Sequence, residues 1–318
     1  MTERERFLKT LRREPVPGRV PTFELEFYLT MEALGRVHPS HRRYGQWDQM
    51  SDRERELHLL DQAEIFVAFA EKYSHSAIHV SSNPGGAENL IRVLQHIRDI
   101  SGDTFALLVY CDPTFSIPSG KDMEEFSRRL YEDRKGLRFE AQLRLEFDLR
   151  RMEKIAASGL CDGAVMCSDY CFNVNPFFSR DMYADYIAPY LRKAVDACRG
   201  MGLATIKHTD GNIMPIIDLL VDCGADALHS LDPQGGVDLA EVSRDWGDKI
   251  ALCGNVNCAL LQTGTREVCE ADIRRSLRDG MARGGGYVFC TSNCAYTGLL
   301  LERYELMNRI WKEEGNYA

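Results

Sequence analysis

The chain has 318 residues, 44% of them apolar, and carries a formal net charge of −9. This length and composition allow a sizeable core, and the acidic balance excludes the basic surface typical of nucleic-acid-binding proteins. No apolar run reaches the ~18–20 residues of a membrane span, and the charged segment 1–15 lacks the apolar stretch of a secretory signal. We therefore predict a cytoplasmic protein that has neither nucleic acid nor membrane as a partner.

Short apolar runs alternate with amphipathic helical runs, after an N-terminal helix that begins with a capping box of Thr2 and Glu5. Eight runs predict strands: 20–25, 76–82, 104–110, 161–167, 203–208, 225–231, 249–255 and 286–292. Apolar strands separated by helices should be parallel and covered on both faces. We therefore predict an α/β fold, a (β/α)8 TIM barrel, as a single domain over 1–318. It has an N-terminal helical extension and a long loop after strand 1.

The connections leave some alternatives open. A doubly wound open sheet is the alternative fold, but the first strand lacks the GxGxxG turn that would favour it. The irregular segment 28–56 suits a functional lid and a tolerated insertion equally well. Residues 120–158 predict one long charged helical region, with a break near Lys135-Gly136.

The cysteines predict no disulfide framework. There are eleven, an odd number, and no CxxC pair occurs. Most of them, such as Cys198, lie on apolar faces and are expected to act as small core hydrophobes.

Polar residues mark the carboxyl ends of the predicted strands, which is where TIM barrels carry their chemistry. His208 and Asp210 are two residues apart, so in a strand their side chains leave the same face and can reach one ion. Asp232 follows one β/α unit later, and Cys294 two units after that. Imidazole, carboxylate and thiolate groups together suit zinc better than magnesium or calcium. His208, Asp210, Asp232 and Cys294 are therefore the candidate metal ligands.

Each of these residues also has a purely structural interpretation. Asp210 precedes Gly211, and a place in a turn or helix cap suits it as well as a place as a metal ligand. A lone histidine on an apolar strand, such as His229, is more often a hydrogen-bonded core residue. Cys290, inside an apolar run, suits buried packing better than chemistry.

Several blocks of the sequence carry a resemblance to a known family. They include "KHTDGNIMPIIDLL" (207–220) and "GGGYVFCTSNCAYTG" (284–298), and the segments 2–21, 168–195 and 248–268 fit in the same order. Together they resemble the uroporphyrinogen decarboxylase-like superfamily. The resemblance implies a (β/α)8 barrel whose site lies at the C-terminal mouth.

The resemblance also separates two branches of that superfamily. Decarboxylases carry an arginine-rich "MRQAGR"-type segment after the first strand, which grips the acid groups of the substrate. Here that place is "FELEFYL" (23–29), where Glu24 and Glu26 would repel a tetra-acidic porphyrinogen. The other branch, the corrinoid-dependent methyltransferases, typically holds zinc by His-x-Cys on strand 5 and a cysteine on strand 8. Cobalamin-independent methionine synthase holds zinc similarly, with an added acidic ligand.

By that resemblance His208 takes the histidine place, Cys294 the late cysteine place, and Asp232 falls near the acidic place. Asp210 stands where the second cysteine would be, which is the main departure. A carboxylate leaves zinc more Lewis acidic than a thiolate does, which favours an oxygen over a sulfur leaving group. Loss of the metal in this chain is the competing explanation.

The resulting hypothesis is a zinc-dependent methyltransferase. It would pass a methyl group from a small methylated substrate, preferably a methoxylated aromatic, to the corrinoid (cobalamin) of a partner protein. The sequence leaves the oligomeric state open, with a homodimer as one alternative. The candidate catalytic residues are Asp169, His229 and Glu24, and the candidate substrate-binding residues are Glu26, Tyr170, Asn255 and Tyr296. The alternatives are a metal-free decarboxylase or lyase acting on a small acid, and a barrel that only binds a ligand or a corrinoid protein.

Overall fold

A computed structural model describes residues 1–317. Its centre is one curled sheet of seven parallel strands, hydrogen-bonded to one another in chain order. The strands are β1 Ala77–Val80, β2 Ala106–Tyr110, β3 Gly163–Cys167, β4 Ala204–Thr209, β5 Ala227–Ser230, β6 Ala251–Val256 and β7 Tyr287–Thr291. They coincide with the second to eighth predicted strands, and the architecture resembles a TIM barrel.

The first predicted strand, 20–25, is not a strand in this structure. Its backbone bonds to β7 through the amide of Phe289 and the carbonyl of Pro21 (2.9 Å), and to the start of β1 through the amide of Ser76 and the carbonyl of Thr22 (2.7 Å). Beyond Thr22 the side chain of Glu24 takes the amide of Thr291, which a regular ladder would pair with backbone. In place of an eighth strand of the sheet, residues 20–25 make an isolated bridge, which joins Thr22 to Phe289.

Helices cover the outside of the sheet. Those of the described residues are α1 Glu3–Leu11, α2 Thr30–Leu34, α3 Asp52–Tyr73, α4 Ala87–Ser101, α5 Met123–Glu132, α6 Arg134–Ala156, α7 Arg180–Met182, α8 Ala188–Gly200, α9 Ile217–Asp222, α10 Leu239–Trp246, α11 Cys258–Thr263, α12 Arg266–Met281 and α13 Leu301–Glu314. A π-helical turn, Tyr183–Ile187, joins α7 to α8. Short 3-10 turns lie at Pro39–His41, Trp47–Gln49, Met214–Ile216 and Pro233–Gly235.

Two connections differ in detail from their predictions. The long helical region breaks at Asp133 rather than at Lys135-Gly136, because the Asp133 carboxylate accepts the amide of Gly136 (3.0 Å) and caps α6. The segment 28–56 is partly ordered as α2, two 3-10 turns and the beginning of α3.

Alternate strand residues fill the interior of the sheet, and small ones dominate its amino-terminal end. Ala77, Ala106 and Ala227 belong to one buried cluster, into which α1 inserts Phe7 and Leu11. Because side chains alternate along a strand, the next inward positions toward the carboxyl ends belong to His79 on β1, His208 on β4 and His229 on β5. The interior is therefore apolar at one end and polar at the other, and the site lies at the polar end.

Two global features follow from the described residues. Within 1–317 no helix is both long and apolar enough to cross a membrane. All eleven cysteines are free thiols, and nine of them are buried.

His75, directly before β1, gives the fold a pH-dependent stability. Its side chain is buried and bonds through Nε2 to the hydroxyl of Tyr304 on α13 (2.9 Å). Burial lowers the pKa of His75 from 6.5 to about 3, so the folded chain keeps this imidazole neutral. Below pH 6.5 the unfolded chain takes up the proton first, and the free energy of unfolding falls until about pH 3.

We expect this group to steepen the acid side of the stability profile by up to ~1.4 kcal/mol per pH unit. Urea unfolding at several pH values between 7.5 and 4.5 measures the effect. His75→Gln keeps a partner for Tyr304 but does not titrate, so its profile should be flatter, while other buried histidines contribute equally to both proteins. Parallel profiles for the two proteins would refute the assignment.

Candidate functional site

The register of two neighbouring strands brings three polar side chains together. Cys167 at the end of β3 pairs with His208 on β4. Asp169 and Asp210 lie two residues beyond these partners, so both carboxylates continue on the same face as His208. The pairing of β3 with β4 therefore builds one polar group from two chain segments.

The three side chains are close enough to share one ion. Nε2 of His208 lies 3.8 Å from Oδ1 of Asp169 and 3.8 Å from Oδ1 of Asp210. One ligand atom from each residue lies within 4.8 Å of the other two. Among residues 1–317, this is the group of His, Cys, Asp and Glu side chains that is close enough together to hold a metal ion. The amide of Asp210 also donates to Oδ1 of Asp169 (3.1 Å), which ties the two segments together.

A second histidine orients His208. Nδ1 of His208 lies 2.8 Å from Nδ1 of His229 on β5, and the His229 side chain is fully buried. If the hydrogen between them sits on His208, the Nε2 lone pair of His208 is free to face the two carboxylates. Metal-binding histidines are commonly held by such a partner on the other ring nitrogen.

The protonation states also suit a cation. Burial lowers the pKa of His208 well below its usual range, so the ring is neutral near pH 7, as a metal ligand must be. Burial, and then the charge of Asp169, raise the pKa of Asp210 to about 7. A cation placed between the carboxylates would reverse that shift by favouring their charged forms.

Asp210 is held by side chains rather than used as a helix cap. The hydroxyl of Ser230 donates to Oδ1 of Asp210 (2.6 Å), and the amide of Asn293 donates to its Oδ2. The following turn is capped by its neighbour, because Oδ1 of Asn212 accepts the amide of Met214 (3.2 Å). The carboxylate of Asp210 therefore belongs to the mouth of the sheet.

This donor set fits zinc in number, chemistry and spacing. Imidazole nitrogen and carboxylate oxygen both bind Zn²⁺ at ~2.0–2.2 Å, so two ligands of a tetrahedral site stand roughly 3.4 Å apart. The 3.8 Å separations from His208 exceed that by a few tenths of an ångström. Three protein ligands would leave a fourth position for water or substrate, as in catalytic zinc sites. Manganese, which also accepts carboxylates, is the chemical competitor.

Two of the four ligands predicted from the sequence lie outside this group, and Asp169 takes part in it instead. Asp232 caps the 3-10 turn Pro233–Gly235 by accepting the amide of Gln234 (2.9 Å). Cys294 lies in the loop after β7, where burial raises its pKa and Glu24, Glu26 and Asp210 add to the effect through their charges. The structure thus brings His208 and Asp210 together with Asp169, whereas Asp232 and Cys294 lie outside the group, and the assignment of ligands stays a prediction.

Glu24 and Glu26 occupy different environments near the same mouth. Glu24 is buried, accepts the hydroxyl of Thr291 (2.5 Å), and has its pKa raised by burial to about 8. Glu26 is more open and lies 3.3 Å from Nδ1 of His79 on β1 and 3.9 Å from Nε2 of His38. Glu26 thus connects the segment after residue 28 to the first strand.

The other three predicted substrate-binding residues differ in how accessible their side chains are. Tyr170 is fully buried, and its hydroxyl bonds to Thr114 (2.6 Å). Asn255 is fully buried and donates to the carbonyl of Leu231 (2.7 Å). Tyr296 is partly exposed, and its hydroxyl donates to Gln262 (2.9 Å). Of these three side chains, Tyr296 is the one accessible to a ligand.

The sequence analysis did not predict a buried lysine side chain close to the site. Lys207 alternates with His208 on β4 and is 1% exposed; its Nζ donates to Asp112 (2.7 Å) and to the carbonyl of Ser168 (3.1 Å). It also lies 4.3 Å from the ring centre of Tyr170. Because Ser168 precedes Asp169, this cation fixes the segment that carries one of the three candidate ligands. A charged residue inside an apolar strand was the available signal.

His229 is expected to tune metal affinity without binding the metal. Replacing it with phenylalanine keeps an apolar ring of similar size and removes the hydrogen bond to His208. Loss of such an outer partner typically costs 10–100-fold in metal affinity. Competition with a chromogenic chelator measures it, and an unchanged dissociation constant would show that His229 only fills the core. His58→Phe on α3 serves as the control.

Comparison with known proteins identifies the family. A family model described as uroporphyrinogen decarboxylase (URO-D) matches residues 121–312, more than half of the chain. The chain belongs to this family. The match takes in all three residues of the Asp169–His208–Asp210 group, together with His229 and Lys207.

Two relatives of this URO-D family member differ in what they share with it. A uroporphyrinogen decarboxylase from Shewanella loihica is 31% identical over 121 residues, which cover 35% of this chain. The match spans 31% of that relative. The solved structure of a methyltransferase from Methanosarcina mazei covers 98% of this chain and 99% of its own, with a TM-score of 0.75 and 16% identity. At that identity the likeness shows a common fold.

Proposed function

We propose that this protein is a zinc-dependent methyltransferase, which passes a methyl group from a small methylated substrate to the corrinoid of a partner protein. The observation that carries the proposal is the Asp169–His208–Asp210 group, three side chains that could hold a metal ion at the carboxyl ends of β3 and β4. The fold shared with the Methanosarcina methyltransferase over nearly the whole chain supports it. His208 stands at the histidine position that the resemblance to the methyltransferase branch implies, which supports it further.

Zinc held by Asp169, His208 and Asp210 would supply Lewis-acid polarisation of the oxygen or other heteroatom that carries the methyl group. The protein's own residues would bind the methylated substrate and supply a proton to its leaving group. An oxygen that loses its methyl carbon to the corrinoid would keep the electron pair of the broken C–O bond and would need a proton from the protein. We propose Glu24 as the proton donor, because burial raises its pKa to about 8 and so keeps it protonated at neutral pH.

The charge of the mouth bears on the substrate class. Glu26, Asp169 and Asp210 all carry carboxyl groups there, and the nearby Lys207 is already neutralised by Asp112. Such a mouth opposes polyacidic substrates, and an uncharged donor meets no such repulsion. We therefore propose an uncharged methoxylated aromatic as the methyl donor, with Tyr296 and Glu26 as its contacts and an oxygen leaving group.

Methyl transfer to reduced cobalamin tests the proposal. Donors from three classes, methoxylated aromatics, methylamines and methyl thiols, are assayed with and without a chelator, and methylated cobalamin is followed by its absorbance. We expect transfer from the methoxylated class, loss of transfer with the chelator, and recovery with Zn²⁺. With metal confirmed bound, absence of transfer from every donor would overturn the proposal.

Asp210 should set the metal preference of the site. Asp210→Cys introduces the thiolate ligand that the methyltransferase branch typically carries, and thiolate favours Zn²⁺ over Mn²⁺. We expect the ratio of zinc to manganese affinity to rise by at least about tenfold, since a ligand change worth ~1.4 kcal/mol has that effect. Asp210→Asn, which removes the charge at constant size, should weaken both metals. Equal preferences in all three proteins would exclude Asp210 as a ligand.

A decarboxylase or lyase that uses no metal is the second candidate. The name of the family and of its Shewanella relative favours it, as does a buried carboxylic acid, Glu24, that stays protonated at neutral pH. His229 and Asp169 would then serve proton transfer. Turnover of a small acid that survives the chelator and needs no corrinoid would favour this candidate over methyl transfer.

A further inference from the structure

The carboxylate of Glu26 is mostly buried, yet it has no hydrogen bond within the described part of the chain. Its side chain is 19% exposed, at the mouth of the sheet. The backbone carbonyl of Glu26 accepts the amide of Ala295 (2.9 Å), whereas among residues 1–317 no donor is hydrogen-bonded to either carboxylate oxygen. A carboxylate can accept about four hydrogen bonds, and side-chain polar atoms in such surroundings usually find partners. Glu26 therefore has acceptor capacity that the chain leaves unused.

Two histidines flank this carboxylate, and their own hydrogen bonds fix which ring nitrogen carries hydrogen. Nδ1 of His79 bonds to the carbonyl of Leu25 (3.0 Å), which can only accept, so this nitrogen carries the hydrogen. Nδ1 of His38 accepts the amide of Ser40 (3.2 Å), so a neutral His38 ring carries its hydrogen on Nε2. Each ring therefore presents an N–H group to Glu26, His79 at 3.3 Å from Oε1 and His38 at 3.9 Å from Oε2.

Neither N–H group satisfies the carboxylate. The hydrogen of His79 is directed to Leu25, and the separation of 3.9 Å from Nε2 of His38 is too long for a hydrogen bond. That nitrogen of His38 is itself buried and has no partner among residues 1–317. Burial lowers the pKa of His38 to about 4, so this ring adds no positive charge at neutral pH. Glu26 is therefore held between two N–H dipoles, and its oxygens stay open to another donor.

Glu26 lies near the candidate metal group. Burial raises the pKa of the Cys294 thiol, and the charges of Glu26 and Asp210 are among those that raise it further. Burial likewise raises the pKa of Cys167, and the charges of Glu26 and Asp169 are among those that add to the rise. The open carboxylate and the candidate metal group therefore belong to one mouth, so one small molecule can contact both.

We propose that Glu26 accepts a hydrogen bond from a hydroxyl group of the methyl donor, so that the substrate is a methoxylated aromatic that carries a free hydroxyl. The aromatic methyl ether comes from the proposed function, on which this inference rests, and Glu26 adds the hydroxyl group. An O–H group suits a carboxylate because hydrogen bonds between the two are short and strong. A phenol loses its proton only near pH 10, as tyrosine does, so the donor stays uncharged and is not repelled by the acidic mouth.

Binding of four compounds tests the proposal without requiring methyl transfer. Methoxybenzene, which has no hydrogen-bond donor, is compared with the three isomers of methoxyphenol by titration calorimetry. The full chain is used without corrinoid, in the presence and in the absence of Zn²⁺. We expect at least one methoxyphenol to bind about tenfold to hundredfold more tightly than methoxybenzene, which is the ratio that a hydrogen bond to a charged group provides.

Two variants assign the preference to Glu26. Glu26→Gln keeps the size of the side chain and removes its charge, so the ratio of affinities should fall to about threefold or less, as expected for a hydrogen bond between neutral groups. Glu32→Gln removes an equal charge from an exposed position on α2 and should keep the full ratio. The comparison therefore separates a specific contact from a general effect of charge.

Three results would overturn the proposal. The parent chain would bind methoxybenzene and all three methoxyphenols equally, or the preference would survive in Glu26→Gln, or none of the four compounds would bind. Failure of the proposed function gives a different result. A chain that binds methoxyphenols selectively through Glu26 but transfers no methyl group to cobalamin would retain the hydroxyl site and lose the methyltransferase assignment.

Discussion

Replacing His208 with alanine is expected to reduce the bound metal from one ion per chain to a trace. His208 is the nitrogen ligand of the proposed site, and the carboxylates that remain, Asp169 and Asp210, lie on separate segments that meet across it. The loss of affinity should exceed the ~10–100-fold effect typical of removing an outer-shell partner. Metal content after dialysis against a weak chelator measures it, and methyl transfer should fall in parallel.

The result depends on a variant that still folds and on a histidine that does not bind metal. His208 is 5% exposed, so His208→Gln, which preserves more of its volume, should accompany the alanine variant. His58→Ala, on α3, provides the control and should keep its metal. Equal metal content in His208→Ala and the wild type would end the metal assignment, whatever the activity.

The largest expected effect on stability comes from Lys207→Met. The side chains of Lys207 and Asp112 are 1% and 0% exposed and lie 2.7 Å apart, so each is the counterion of the other in the interior. Methionine keeps much of the volume but leaves the carboxylate of Asp112 buried without a cation. Breaking a buried ion pair from one side typically costs 3–5 kcal/mol, and we expect a loss of about that size in the free energy of unfolding.

Chemical denaturation of four proteins isolates the pair. Lys207→Met and Asp112→Asn should each be strongly destabilising, and the double variant should lose less than the sum of the two, because no unpaired charge remains. Lys193→Met on α8 removes an exposed lysine and should stay within ~0.5 kcal/mol of the wild type. A loss below about 1 kcal/mol for Lys207→Met would mean that the interior pair is dispensable.

The period of the apolar residues was sufficient to predict seven of the strands and the parallel sheet. The first strand could not be predicted correctly, because its ladder is interrupted by a side chain. Glu24 occupies the amide and the hydroxyl of Thr291, which comes 267 residues later in the chain. A pattern within six residues carries no information about such a partner.

Spacing was sufficient to indicate two of the three residues of the Asp169–His208–Asp210 group, since His208 lies on β4 and Asp210 follows directly after it. Asp169 could not be assigned to the group in the same way, because its place depends on the register of β3 against β4. Asp232 was predicted as a ligand because it comes one β/α unit after Asp210. Its carboxylate instead caps the 3-10 turn Pro233–Gly235 that follows it. Tyr170 follows a strand end and faces the core instead of the mouth.

Crystals grown with one equivalent of Zn²⁺ and measured on both sides of the zinc absorption edge test the central claim most directly. The account predicts one anomalous peak at ~2.0–2.2 Å from Nε2 of His208 and from a carboxylate oxygen of each of Asp169 and Asp210. A structure at full zinc occupancy in which the ion lies elsewhere, for example on Cys294 and away from His208, would contradict it.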